Sequence, residues 1–142
     1  MSRTFSAHGE YRFWRCGEVL AVEAAGTFNQ EGASALFRDF RGFWLAQGSP
    51  SRWAYLIDVR RWEGSTPDAF ELGKEMQFWC AEHGAQAFCR IHANTILDAT
   101  FSRQIEIPTP VQQEKRVCSD LNEAWTWLKS RGFFCEDRSD RS

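Results

Sequence analysis

Two neighbouring hydroxyls, Ser65 and Thr66, close the segment Asp58-Val59-Arg60-Arg61-Trp62-Glu63-Gly64-Ser65-Thr66-Pro67-Asp68. At a helix start, free N–H groups and the positive end of the helix dipole both favour a side-chain oxygen or an anion. Thr66 has the makings of an N-cap: Pro67 suits the first helical position, and Asp68 complements the positive helix end. From the residues alone, Thr66 reads as the cap and Ser65 as a plain loop residue. Just upstream, Arg60, Arg61 and Trp62 are of types enriched at interface hot spots. Asp58 sets a carboxylate at the end of an apolar run.

Other chemistry-bearing residues do not gather into a catalytic set. The chain has no Gly-x-Gly-x-x-Gly after a strand, no phosphate-cradling Gly-Lys-Ser/Thr loop, no Gly-x-Ser-x-Gly and no His-Glu-x-x-His. His8, His83 and His92 lie in three separate places. His83 suits the carbonyl end of a helix. His92 or Cys89 would serve a reaction only with a second polar group in hydrogen-bond reach inside a cleft. Glu71 and Glu75, one turn apart, read as a solvated helix face. No catalytic residue, metal ligand or cofactor is assigned, and a non-catalytic role is favoured. Cys16, Cys80, Cys89, Cys118 and Cys135 are odd in number and match no zinc-ligand spacing. They are expected to be reduced and mostly buried, in a cytoplasmic protein.

The composition narrows the partners. Across 142 residues, 17 Lys and Arg face 19 Asp and Glu, for a formal charge of −2. Without a basic excess there is no counterion release to drive nucleic-acid binding. No run approaches the ~18–20 apolar residues needed to span a bilayer, and the first ten residues lack the apolar stretch of a secretory signal. With 43% apolar residues the chain can fill a core.

The elements follow from periodicity. Tyr11–Cys16 and Val19–Ala24 are strand-like runs about Gly17, close enough only for an antiparallel hairpin. Ala33, Leu36, Phe37, Phe40, Phe43 and Trp44 then recur at helical spacing, predicting a helix over Gln30–Gln47. Ala54–Val59 reads as a buried central strand and Arg60–Ser65 as a loop. A second helix buries Ala69, Leu72, Gly73, Met76, Trp79 and Cys80. Gln86–Ile91 is a strand, Asn94 opens a short helix with Leu97, Phe101 and Ile105 that ends at Pro108 and Pro110, and Gln113–Cys118 is an edge strand. A last helix starts at Ser119 or Asp120 and stops at Gly132. The order β-β-α-β-α-β-α-β-α implies an α/β fold with a mixed, mainly parallel five-stranded sheet and an N-terminal antiparallel hairpin. Residues 10–132 form one domain, 1–9 an extension and 133–142 a charged tail.

In this arrangement the chain resembles the STAS-like domains, named for sulphate transporters and anti-sigma-factor antagonists, in a branch of small stand-alone bacterial proteins. The residues that carry the likeness are Gly26-Thr27-Phe28-Asn29-Gln30-Glu31-Gly32, Asp58 with Trp62-Glu63-Gly64 and Thr66-Pro67, and Trp79-Cys80-Ala81-Glu82-His83-Gly84. The resemblance implies a regulatory module that works through protein contacts, with a Ser at the start of the second helix phosphorylated by a partner kinase. Here Ser65 or Thr66 holds that place, although the family's Asp-Ser-Ser-Gly signature is absent and Glu63 and Asp68 flank the site.

The chain is also rich in aromatics: 12 Phe, 7 Trp and 2 Tyr, 15% of all residues. Beyond a broad core, Trp62, Phe70 and Phe78 are expected to join Arg60 and Arg61 in an outward contact surface for a protein partner, a regulator or kinase, or for a second copy in a homodimer. The alternative is a carrier or sensor of a small hydrophobic ligand held between sheet and helices. The direction in which these aromatics point separates the two readings.

Overall fold

A computed structural model describes residues 8–92 and 113–135. The hairpin comes first: β1 (Glu10–Cys16) pairs antiparallel with β2 (Val19–Phe28). It turns at Gly17, whose φ is +58°, and a Cβ there would strike the Phe134 carbonyl. Asn29 then caps α1 (Gln30–Ala46), its Oδ1 accepting from Gly32 N at 2.9 Å and His8 N at 3.0 Å. The chain continues through β3 (Trp53–Ser65), α2 (Pro67–Glu82), β4 (Ala85–Ile91), β5 (Glu114–Cys118) and α3 (Leu121–Ser130). At α3, Asp120 caps Glu123 N at 2.8 Å while Glu123 Oε1 accepts from Ser119 N at 3.0 Å, a reciprocal pair that satisfies two free donors. The helix expected after Asn94 lies outside the described residues.

The strands lie side by side in chain order, and every pair after the hairpin is parallel. The expected mixed, mainly parallel sheet is therefore found. Crossovers of one hand between successive strands set α1 and α2 on the same face. That face is built from Leu20, Val22, Tyr55, Ile57 and Phe88 under Leu36, Phe40 and Met76. The opposite face uses small residues, among them Ala21, Ala54, Ala87 and Cys89, against Trp125 and Leu128 of α3. Large side chains on one side and small ones on the other follow from the alternation of side chains along each strand.

Three differences from the sequence expectation matter. β3 does not end at Val59 but continues as strand to Ser65, so the expected loop Arg60–Ser65 is paired backbone. Cys16 and Cys135 are joined as a disulfide with a Cα–Cα distance of 4.8 Å, whereas Cys80, Cys89 and Cys118 are buried thiols. And the packed region runs past residue 132: Phe133 is buried against the α3 face, under the Arg52 guanidinium at 4.1 Å from its ring centroid.

Phe40 has no exposed surface and meets the rings of Phe13, Tyr55 and Trp53 at centroid distances of 5.5, 5.5 and 6.0 Å. Phe40→Ala should lower unfolding stability by about 3–5 kcal/mol in urea titration. Leu45→Ala, at a side chain 62% exposed, should change it by less than about 0.5 kcal/mol. A titration marks the β1–α1 contact. The Tyr11 hydroxyl donates to Asp39 at 2.6 Å, and burial, followed by that bond, pushes its pKa up to about 12. The folded state thus holds the phenol proton more tightly than the unfolded chain, so this contribution is complete below about pH 10 and is lost as pH rises towards 12. Tyr11→Phe should make the fall of the urea midpoint across that range shallower.

Candidate functional site

The site is shaped by how β3 passes β2. Register runs Glu23 to Asp58, then Ala25 to Arg61, then Gly26 to Trp62 and Thr27 to Gly64. β3 therefore carries an extra residue at two points, a pair of bulges. Before the first, Tyr55, Ile57 and Val59 alternate onto the helix-pair face; after it, Trp62 rather than Arg61 joins them. Trp62 is 5% exposed and its ring meets Phe70, itself 7% exposed, edge-on at 5.9 Å. The expected outward Trp62 and Phe70 are thus interior residues. Gly64 lies in the second bulge with φ +140°, a conformation open to glycine and strained for other residues.

The remaining predicted residues separate by location. Asp58 is buried and receives the Arg60 guanidinium on both oxygens, at 3.0 and 2.7 Å, along with the Arg60 backbone N–H at 3.1 Å. This hydrogen bonding raises the Arg60 pKa further and holds the carboxylate in the bulge. Arg60 and Arg61 are exposed on the outer strand surface, Arg61 3.8 Å from Glu23, and Phe78 is half-buried on α2. Thr66 caps α2, accepting from Ala69 N at 3.4 Å and donating to Asp68 at 2.5 Å. The Ser65 hydroxyl accepts from the Trp62 indole at 3.0 Å.

Between the sheet, α1 and α2 lies a cavity of about 80 Å³, room for roughly half a dozen water-sized groups. Tyr55, Ile57, Val59 and Trp62 of β3 and Phe88 of β4 form its floor; Ala24 and Phe28 of β2, Leu36 of α1 and Met76 of α2 close it. Ala33, Ser65, Leu72 and Gly73 line it too and are only half-buried, so they mark its mouth. Among the described residues no charged side chain lines it. Burial holds the Tyr55 phenol well above its usual pKa, so it stays neutral.

One lining residue was not anticipated. Gln77 is 2% exposed, and neither its Nε2 nor its Oε1 has a hydrogen-bond partner. A buried polar group left unpaired costs about 1–3 kcal/mol. Its position was readable in principle: Gln77 lies four residues after Gly73 and one after Met76, so a carboxamide occupies the apolar stripe of α2. A second groove is lined by Glu82, His83, Glu114 and Arg131; Arg131 bonds Glu114 at 3.2 Å, and His83 Nδ1 lies 2.8 Å from the Trp79 carbonyl. Among the described residues no three His, Cys, Asp or Glu side chains gather as metal ligands, and no helix is long and apolar enough to cross a membrane.

No family model matches the chain, and no curated protein matches it. Among solved structures it is similar to an uncharacterized protein of the DUF3478 family with a SpoIIAA-like fold from Shewanella loihica PV-4. The TM-score is 0.61 at 15% identity, over 90% of this chain and 98% of the other. The chain therefore has the SpoIIAA-like, or STAS-like, fold.

Loss of the cap isolates what Thr66 does for the fold. Thr66→Ala should lower stability by about 1 kcal/mol, and Thr66→Ser should restore most of it, in urea unfolding followed by circular dichroism.

Proposed function

We propose that this STAS-like domain is a sensor or carrier of a small, uncharged, mainly apolar molecule bound between the sheet and the α1–α2 pair. The observation that carries this reading is the inward turn of Trp62. A ring expected on an outer contact surface instead floors an apolar cavity, with Phe70 packed against it. The large exposed hydrophobics among the described residues are Leu45 on α1, Val117 on β5 and Phe134 beyond α3, and none of them belongs to the expected contact set of Trp62, Phe70 and Phe78. An apolar cavity with few polar groups is the common form of a small-molecule site. The indole of Trp62 also holds the Ser65 hydroxyl, one residue before the α2 cap. An occupant of the cavity thereby meets Trp62 and Ser65, in the last stretch of chain before the Thr66 cap.

That outer end supports a second reading, a regulated contact with a protein partner. Thr66 is exposed at the N-terminus of a 16-residue helix. A phosphate there would meet free N–H groups and add a charge of about −1.5 to −2. Thr66 is the better acceptor of the two hydroxyls, because Ser65 is half-buried and engaged by Trp62. Intact mass of the native chain, before and after phosphatase, checks it: the expected result is one phosphate on Thr66, and an unmodified chain in every growth condition removes the switch.

For the cavity, toluene titrated into labelled protein should shift the methyl resonances of Leu36, Ile57 and Met76. Ala33→Phe, a larger side chain at the half-buried mouth, should abolish those shifts while the rest of the spectrum stays that of a folded chain. Equal shifts in both proteins, or none in the unaltered one, would defeat the ligand reading.

A further inference from the structure

We infer that Gln77 selects the ligand, and that the cavity takes a neutral ring bearing a cis-amide edge, an N–H beside a C=O, as in a lactam, pyridone or pyrimidine-type base. This rests on the cavity being a binding site, as proposed above. A carboxamide offers two donor hydrogens on nitrogen and an acceptor oxygen with two lone pairs. Both polar atoms of Gln77 are buried without a partner and have next to no surface open to the cavity; the residue borders it, and a turn about its side-chain torsions brings the carboxamide to an occupant. A group that presents a donor and an acceptor on adjacent atoms satisfies both at once, the same fork geometry by which Gln and Asn pair with adenine.

The rest of the lining restricts the ligand further. With no charged side chain among the described residues of the wall, a carboxylate or an ammonium would lose its hydration and gain no counter-charge from them. The described wall thus favours a neutral molecule over a fatty acid anion or a phosphate-bearing lipid. The flanking surfaces are ring faces and aliphatic chains, Phe28, Tyr55 and Trp62 among them, which suit a flat ring. The cavity, about 80 Å³, is small beside the ~150 Å³ that encloses benzene, so the ligand is limited to a single small ring that reaches into the half-buried mouth. Gly73 lies one turn before Gln77 on α2 and also lines the cavity.

Three probes, followed by NMR titration of the full chain, decide the matter: 2-pyridone, N-methyl-2-pyridone and toluene. The expected result is that 2-pyridone shifts the Gln77 side-chain amide resonances and that Gln77→Leu weakens its binding about tenfold or more. Toluene should bind Gln77→Leu as well as or better than the unaltered protein. N-methyl-2-pyridone, which has lost the donor, should bind the unaltered protein about tenfold more weakly than 2-pyridone, a comparison that does not depend on any variant folding. If 2-pyridone and its N-methyl form bind alike, or if Gln77→Leu keeps full affinity for 2-pyridone, Gln77 is not the selector, and entry of toluene would leave the cavity reading standing. If neither toluene nor 2-pyridone enters, both fail together.

Discussion

The pairing of β3 with β2 governs the rest of this molecule. A parallel strand flanked on both sides and covered on both faces has almost no freedom of register, since a slip of one residue would exchange its two sets of side chains. Here β3 takes up two extra residues against β2 while remaining in the sheet. The first bulge turns Trp62 inward and sends Arg60 and Arg61 outward; the Asp58–Arg60 pair fills the bend. An ion pair with a buried carboxylate is weak evidence for stability in general. Its use here is geometric: Asp58 also accepts the Arg60 backbone N–H, a donor beside the point where the ladder is disrupted.

The two faces of the sheet then differ in how well they can close. On the α3 side, alanines and cysteines let Trp125, Leu128 and Phe133 come down onto the strands, and the Cys16–Cys135 disulfide ties the end of that layer to β1. On the other side two helices must be held over wide rings such as Tyr55, Trp53 and Phe88. Rings of this size stack efficiently beneath α1, around Phe40, where centroids lie 5.5 to 6.5 Å apart. Nearer the α2 N-terminal half the residues between the rings are Ala24, Ala33 and Gly73, and the cavity opens there. The void is a product of small residues placed where the sheet surface is broadest.

Much of this was legible from residue order. The hairpin at Gly17, the first helix from Gln30, the cap–proline start of α2 at Thr66-Pro67 and the mixed sheet all appear where period and capping chemistry put them. The bulges were not legible, because a bulge breaks the two-residue period on which strand reading depends, and Arg60-Arg61-Trp62-Glu63-Gly64 then looks like a loop. The disulfide was hidden for another reason. Its cysteines are separated by 119 positions in a chain with an odd count, and tertiary contacts such as the packing of Phe133 and the bond from Glu18 N to the Phe134 carbonyl bring them together. Gln77 was visible as a misfit in an apolar stripe, but a lone glutamine in a stripe more often turns its amide to solvent, and only burial shows that this one does not.

Local rules that fail in one place usually fail for a reason, and functional sites are where such failures collect. In this chain they coincide. The strand with the broken period, the helix glycine and the buried amide without a partner all border one cavity. Taken singly, each would weaken the fold: the bulges give up ladder pairing, glycine inside a helix costs about 1 kcal/mol against alanine, and the unpaired carboxamide costs more. An apolar residue in place of Gln77 would relieve the largest of these penalties without disturbing the stripe. A polar occupant relieves it as well, and then the penalty in the empty state becomes part of the preference for the filled one.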